Sequence, residues 1–169
     1  MRAIGVNAEA APTDEAVSKR ERQSKIELAW VFLRDRIDKA SHEYYRSGSF
    51  KQLEQFVEKP ALDLMKEQLT KLREDNVYWH QPDRQAQTEP RYNVISEQLN
   101  KNNQPTSFVI EERFSDHSAL YEIAGEELLP LSTNEGQERV IRATVNVRGG
   151  SEFLLHSVLE VRSQMLENE

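Results

Sequence analysis

The stretch Arg139-Val140-Ile141-Arg142-Ala143-Thr144-Val145-Asn146-Val147-Arg148-Gly149-Gly150 decides the fold class. Ile141, Ala143, Val145 and Val147 alternate with Arg142, Thr144, Asn146 and Arg148. A period of two places the apolar set on one face and the polar set on the other, which is the pattern of a half-buried strand. Gly149 and Gly150 both accept positive φ without a steric penalty, so they mark a hairpin turn. Phe153, Leu155 and Val161, alternating with His156 and Glu160, supply the return strand.

Working towards the N-terminus, the same period recurs. Phe108, Ile110, Glu112 and Phe114 alternate with Val109, Glu111 and Arg113. Arg91 to Leu99 is a further strand, and Lys101-Asn102-Asn103-Gln104-Pro105 is the turn between the two. Asp116-His117-Ser118 reads as a tight connection, after which Ala119 to Ile123 resumes the strand pattern. Ser132 to Gln137 reads as a polar loop. Glu111-Glu112-Arg113 and Gly125-Glu126-Glu127 read as solvated acidic surface.

Before about Tyr78 the period is that of a helix. Ile26, Ala29, Trp30, Leu33, Ile37, Ala40 and Tyr44 recur at spacings of three and four, behind a capping box at Ser18 and Glu21. Ser47-Gly48-Ser49 ends that helix. Leu53, Phe56 and Val57 suggest a short second helix. Leu62, Met65, Leu69 and Leu72 line a third, with Pro60 in its first turn and Asn76 as its stop. Helices first and antiparallel strands after them read as an α+β domain, with three helices packed on a curved sheet of four to five strands. The domain spans residues 18–163. Residues 1–17 read as a disordered lead and 164–169 as a tail.

Composition narrows the function. The 169 residues carry 22 Lys and Arg against 29 Asp and Glu, a net charge of −7, without a basic block; this argues against nucleic acid as a partner. No apolar run approaches the roughly 18 residues of a spanning helix. With no cysteine, the chain has neither a disulfide framework nor a thiolate nucleophile or metal ligand. The expectation is an acidic, soluble domain.

The order of elements resembles the NTF2-like superfamily, in which a curved sheet wraps a helical layer around a pocket. Within it, Leu62-Asp63-Leu64-Met65-Lys66-Glu67-Gln68-Leu69 followed by Asn76-Val77-Tyr78-Trp79 is similar to the C-terminal domain of chloroplast and cyanobacterial division factors that carry an N-terminal J-like region. Ser115 to Glu122, the polar loop, Arg139 to Val147 and the glycine turn match in style. The last strand departs from that pattern: it begins Glu152-Phe153-Leu154 and lacks the usual Trp-Lys pair. The chain also lacks a companion J-like or helical-repeat region. The Tim44-like branch is next in likeness. The resemblance implies a protein-binding module that serves a larger, membrane-associated assembly, and a homodimer through the exposed face of the sheet.

Catalysis is the competing reading. Isomerase and dehydratase members of that fold class place Asp and His in the cone, which makes Asp116, His117 and His156 the candidates. Adjacent residues point apart, however, and Asp and Ser at a strand connection are what turn chemistry demands. His42, His80 and His117 are too far apart in sequence to suggest a metal site, and no Gly-rich phosphate loop opens a helix. No metal and no cofactor are expected. The binding residues expected are Tyr78, Trp79, Tyr92 and Tyr121 as aromatic anchors, with Arg142 and Arg148 orienting a protein or peptide segment. Arg139 extends this basic stripe, and pairing with Glu160 or Glu152 is the alternative for it. The alternative functions are a small-molecule enzyme of the isomerase or dehydratase type and a carrier of a hydrophobic ligand. The location expected is cytoplasmic or organelle-stromal, peripheral to a membrane complex.

Overall fold

A computed structural model describes residues 14–80, 89–133 and 136–161. Helix α1 (Asp14–Ser47) is 34 residues long. Ile26, Trp30, Leu33, Ile37, Ala40 and Tyr44 are all buried, so the stripe read from the sequence is the face the helix turns to the core. The helix runs through Ser18 instead of starting there, because Glu15-Ala16-Val17 contains no residue that breaks a helix. It ends where Gly48 takes φ 75 and its N–H reaches the Tyr44 carbonyl at 2.8 Å.

Among the described residues one further α-helix follows, α2 (Ala61–Glu74), so the three expected helices become two there. The segment between them forms a single 3-10 turn, Leu53–Gln55. It cannot continue as a helix because its backbone is used elsewhere. Leu155 N–H donates to the Phe56 carbonyl and Glu58 N–H to the Leu155 carbonyl, each at 2.9 Å, which ties this segment to the last strand. Leu53 and Val57 are thereby driven into the core.

Seven strands follow: β1 (Val77–His80), β2 (Arg91–Leu99), β3 (Pro105–Asp116), β4 (Ala119–Ala124), β5 (Glu127–Thr133), β6 (Gln137–Arg148) and β7 (Glu152–Val161). They form two antiparallel sheets instead of one: a four-stranded sheet of order β2-β3-β6-β7 and a three-stranded sheet of order β1-β4-β5. The class remains α+β. β1 and β5 are strands the sequence reading does not anticipate; the loop expected at Ser132–Gln137 shares only Ser132 and Thr133 with β5. Neither offers a run of alternating apolar residues long enough to be read as a strand, and each is held by its pairing to β4.

The branch point is the Asp116-His117-Ser118 connection. Asp116 Oδ1 accepts the Ser118 N–H at 2.8 Å, which turns the chain out of the large sheet. The Asp116 carbonyl accepts the Gly136 N–H at 2.9 Å, where the chain comes back. β3 and β6 then pair continuously down from Asp116↔Gln137, so β4 and β5 are an excursion inserted between two neighbouring strands. Gly136 sits at φ 80, and a Cβ there would stand 3.0 Å from His117 Cε1, so glycine is required twice over.

The core lies between the inner face of the large sheet and the α1 stripe. Phe108, Ile110 and Phe114 of β3, Ile141, Ala143 and Val145 of β6, and Leu155 of β7 complete it. In β7 the simple alternation fails. The register steps from Val145↔Leu155 to Thr144↔Ser157, leaving His156 as an extra bulged residue. Val161 therefore pairs with Val140 on the outer face and does not join Leu155 on the inner one. Of the lead expected at 1–17, residues 14–17 form the start of α1; residues 1–13 and the tail at 164–169 lie outside the described residues.

Leu53 is fully buried and Leu64 is 60% exposed. Leu53→Ala should cost about 2–5 kcal/mol in urea unfolding, and Leu64→Ala within about 0.5 kcal/mol of wild type.

Candidate functional site

A cleft of about 350 Å³ opens between α1, α2 and the large sheet. Its walls include Trp30 and Arg34 of α1, Trp79 of β1, Phe114 of β3, and Arg139 and Ile141 of β6. The floor is ionic. Glu112, 1% exposed, shares the inner face of β3 with Phe108, Ile110 and Phe114. Its Oε1 accepts hydrogen bonds from Trp30 Nε1 at 2.8 Å and Arg34 Nη1 at 2.6 Å. The Arg34 guanidinium also lies 5.0 Å from the centre of the Phe114 ring. Arg139 approaches the same ring at 5.8 Å. Its Nη1 donates to Asp116 Oδ2 at 2.7 Å, and its Nε and Nη2 each donate to Glu160 at 2.9 Å. Phe114 is thus flanked by two cations, each held by carboxylates (cation–π contacts on a ring the sheet already buries).

The expected site residues divide between three places. Trp79 enters the cleft. Tyr78 projects from the opposite face of β1 and packs on α1, with ring centres 5.6 Å from His42 and 5.2 Å from Tyr45. Tyr121 stands opposite Tyr78 in the ladder and shares its face. Tyr92 is half-buried on β2, packed against the main core. Arg142 and Arg148 lie on the outer face of the large sheet, away from Trp79. There Arg142 Nε donates to Glu111 Oε2 at 2.9 Å, and Arg148 Nη2 to Glu58 Oε1 at 3.1 Å. Of the basic stripe, the residue that does join Trp79 is Arg139, and its cross-strand partner is Glu160.

One of the two readings of acidic surface changes. Glu111 and Glu112 are buried, at 6% and 1% exposure, because β3 is an interior strand of the large sheet and basic side chains pair with both carboxylates. Glu126 and Glu127 are exposed, as expected. The sign that Glu112 is special is in the sequence: a carboxylate occupies an apolar phase of β3.

The catalytic candidates do not converge. Asp116, with no exposed surface, is committed to Ser118 and Arg139. Burial would raise its pKa, but the hydrogen bonds from Ser118 and Arg139 prevail and hold it below the ordinary carboxylate value. The His117 ring lies against Gly136. His156 Nδ1 lies 2.8 Å from Glu58 Oε2 on the outer sheet face. Glu58 also accepts from Asn146 Nδ2 at 2.8 Å, so this cluster fastens the 56–58 segment to β6 and β7. Among the described residues no three His, Asp or Glu side chains are grouped as a metal site requires. No helix is long and apolar enough to cross a membrane.

The small sheet presents a different surface. Register places Tyr78, Tyr121, Pro130, Ile123 and Leu128 on one face. The α1 side covers the Tyr78 end. The other end is open, with Ile123 and Leu128 41% and 52% exposed; Leu129, on the opposite face beside Glu122, and Leu131, at the register shift, are 44% and 53% exposed. All seven residues of β5, the free edge strand, are exposed.

No protein-family model matches the chain, and no curated protein sequence matches it. Among solved structures, the crystal structure of the intermembrane space region of the chloroplast protein ARC6 has a similar fold, with a TM-score of 0.54. Identity is 8%, over 80% of this chain and 96% of that one. The likeness is one of fold.

Removing one partner of a buried ion pair strands the other. Arg34→Met should cost about 3–5 kcal/mol in urea unfolding. The Arg34→Met/Glu112→Met double variant should recover most of that loss, and equal losses would show that the pair is not the determinant. Asp116 binds its proton less readily folded than unfolded. Its contribution is therefore full above the unfolded carboxylate pKa, near about 3.9, and is lost as pH falls through the lower folded value. Asp116→Asn should flatten this acid limb of unfolding free energy against pH.

Proposed function

We propose that the chain is a non-catalytic protein-binding module of a larger, membrane-associated assembly, built on an NTF2-like cone. One observation carries this reading: the β4–β5 excursion holds the paired residues Ile123 and Leu128 in solvent on one face, next to Pro130, on strands rooted in a well-packed body. An apolar group of this kind, bordered by Glu122, Glu126 and Glu127, is the mark of a contact surface. Pro130 removes an edge N–H, which discourages strand addition along β5. The partner therefore packs on the side-chain face formed by Tyr121, Ile123, Leu128 and Pro130.

The likeness to the intermembrane space region of ARC6, a chloroplast protein, supports an organellar assembly as the setting, with the module peripheral to a membrane complex. The separation of Asp116, His117 and His156 speaks against the isomerase or dehydratase reading. The apolar carrier reading draws on the Trp30–Trp79–Phe114 cleft. That cleft is floored by charged pairs, which suit a purely hydrophobic molecule poorly.

Both substitutions in Ile123→Glu/Leu128→Glu fall on exposed positions, so the variant should keep the wild-type circular dichroism spectrum. In pull-downs from extract of the source organism it should capture at least about tenfold less partner than wild type. Equal capture by the two would remove this face from consideration.

A further inference from the structure

A second surface lies on the other side of the molecule. Leu28 and Phe32, one turn apart on the outward side of α1, are 70% and 59% exposed. Beside them runs a groove of about 580 Å³ between α1, the 3-10 turn and the β6–β7 tip. Leu28 and Phe32 line it together with Ala29, Leu33, Phe56 and Phe153, and Arg36 and Glu152 also border it. The Arg36 guanidinium sits 4.5 Å from the Phe32 ring, a cation held over an exposed aromatic side chain.

We infer that this face is the site where a second copy of the chain docks, with the two α1 helices antiparallel about a twofold axis. The argument is self-complementarity. A twofold contact must join one patch to itself, so the patch has to carry both halves of every interaction. This one does. Leu28 and Phe32 are exposed apolar side chains that, with Ala29, Leu33, Phe56 and Phe153, line one apolar surface, so each can pack on its own counterpart across the axis. The charges are arranged likewise. The β6–β7 tip lies towards the N-terminal half of α1, where Gly150 borders a common cavity with Ser18, Arg22 and Lys25. Glu152 is therefore at that end of the groove, and Arg36, further along the helix, is at the other. Antiparallel docking brings Arg36 of one copy to Glu152 of the other, twice.

The outer face of the large sheet is less suited to self-association. It carries the Arg142–Glu111–Arg113 and Glu58–Asn146–Arg148 networks, whose hydrogen bonds are made within the chain. The α1 face is separate from the β4–β5 face proposed for a different partner, so a dimer leaves that surface open.

Sedimentation velocity of the full chain over a concentration series tests the inference. Wild type should form a reversible dimer with a dissociation constant in the micromolar range. Phe32→Glu should weaken it by at least about tenfold. Arg36→Glu should weaken it by about tenfold, and Arg36→Glu/Glu152→Arg should restore it. Ile123→Glu/Leu128→Glu should dimerise as wild type does, which separates this result from that of the partner pull-down. A wild type that stays monomeric up to millimolar concentration overturns the proposal. A dimer indifferent to Phe32→Glu also overturns it, and failure of the charge exchange to rescue overturns the antiparallel arrangement.

Discussion

The contact between Glu112 and the α1 pair Trp30 and Arg34 sets the position of everything around it. A carboxylate on the inner face of β3 must keep partners or lose several kcal/mol to desolvation. Trp30 and Arg34, four residues apart on one side of α1, both donate to the same oxygen. Shifting the helix by one turn would bury the charge without them. The apolar stripe of α1 drives it onto the sheet, but hydrophobic burial is tolerant of small displacements. The ionic contact is not, and it fixes where along the stripe the helix stops.

A second constraint follows at the far end of β3. Asp116 ends the strand, caps the turn through Ser118 and pairs with Arg139 of the neighbouring strand. It thus joins the large sheet to the place where β4 departs and β6 returns. Phe114, between Arg34 and Arg139, links the two ionic groups through its ring. The buried acidic side chains Glu112 and Asp116 are therefore structural, and large apolar side chains such as Leu28, Phe32 and Leu128 are left exposed.

Much of the architecture was legible. The α1 stripe, the bounds of β2, the β3 and β6 alternation and the Gly149–Gly150 turn follow from local periodicity, which the chain imposes on itself. β1 and β5 were not legible. Val77–His80 is four residues long, and Leu128-Leu129-Pro130-Leu131 is apolar without alternation, since a strand exposed on both faces has no inside to favour. The candidate site was legible in pieces. Trp79, Tyr78 and Tyr121 stand out in the sequence as aromatic anchors; the structure places Trp79 in the cleft, Tyr78 and Tyr121 on one face of the small sheet, and Arg142 and Arg148 on the outer face of the large sheet. Residues on one polar phase of a strand share a side, yet the sequence does not say which side Trp79 of another sheet will approach.

By itself the sequence determined an acidic α+β chain with its helices first, a hairpin at its end and one buried stripe per long element. Those features are encoded within a few residues of one another, through the periods of helix and strand. The tertiary structure alone decided that the strands divide into two sheets. It alone decided that Glu112 is a buried anchor and not a solvated charge, and that Leu28, Phe32, Ile123 and Leu128 remain outside. Each of these depends on which distant segment arrives to cover a given face, and pairing across dozens of residues leaves no local mark in the order of the amino acids.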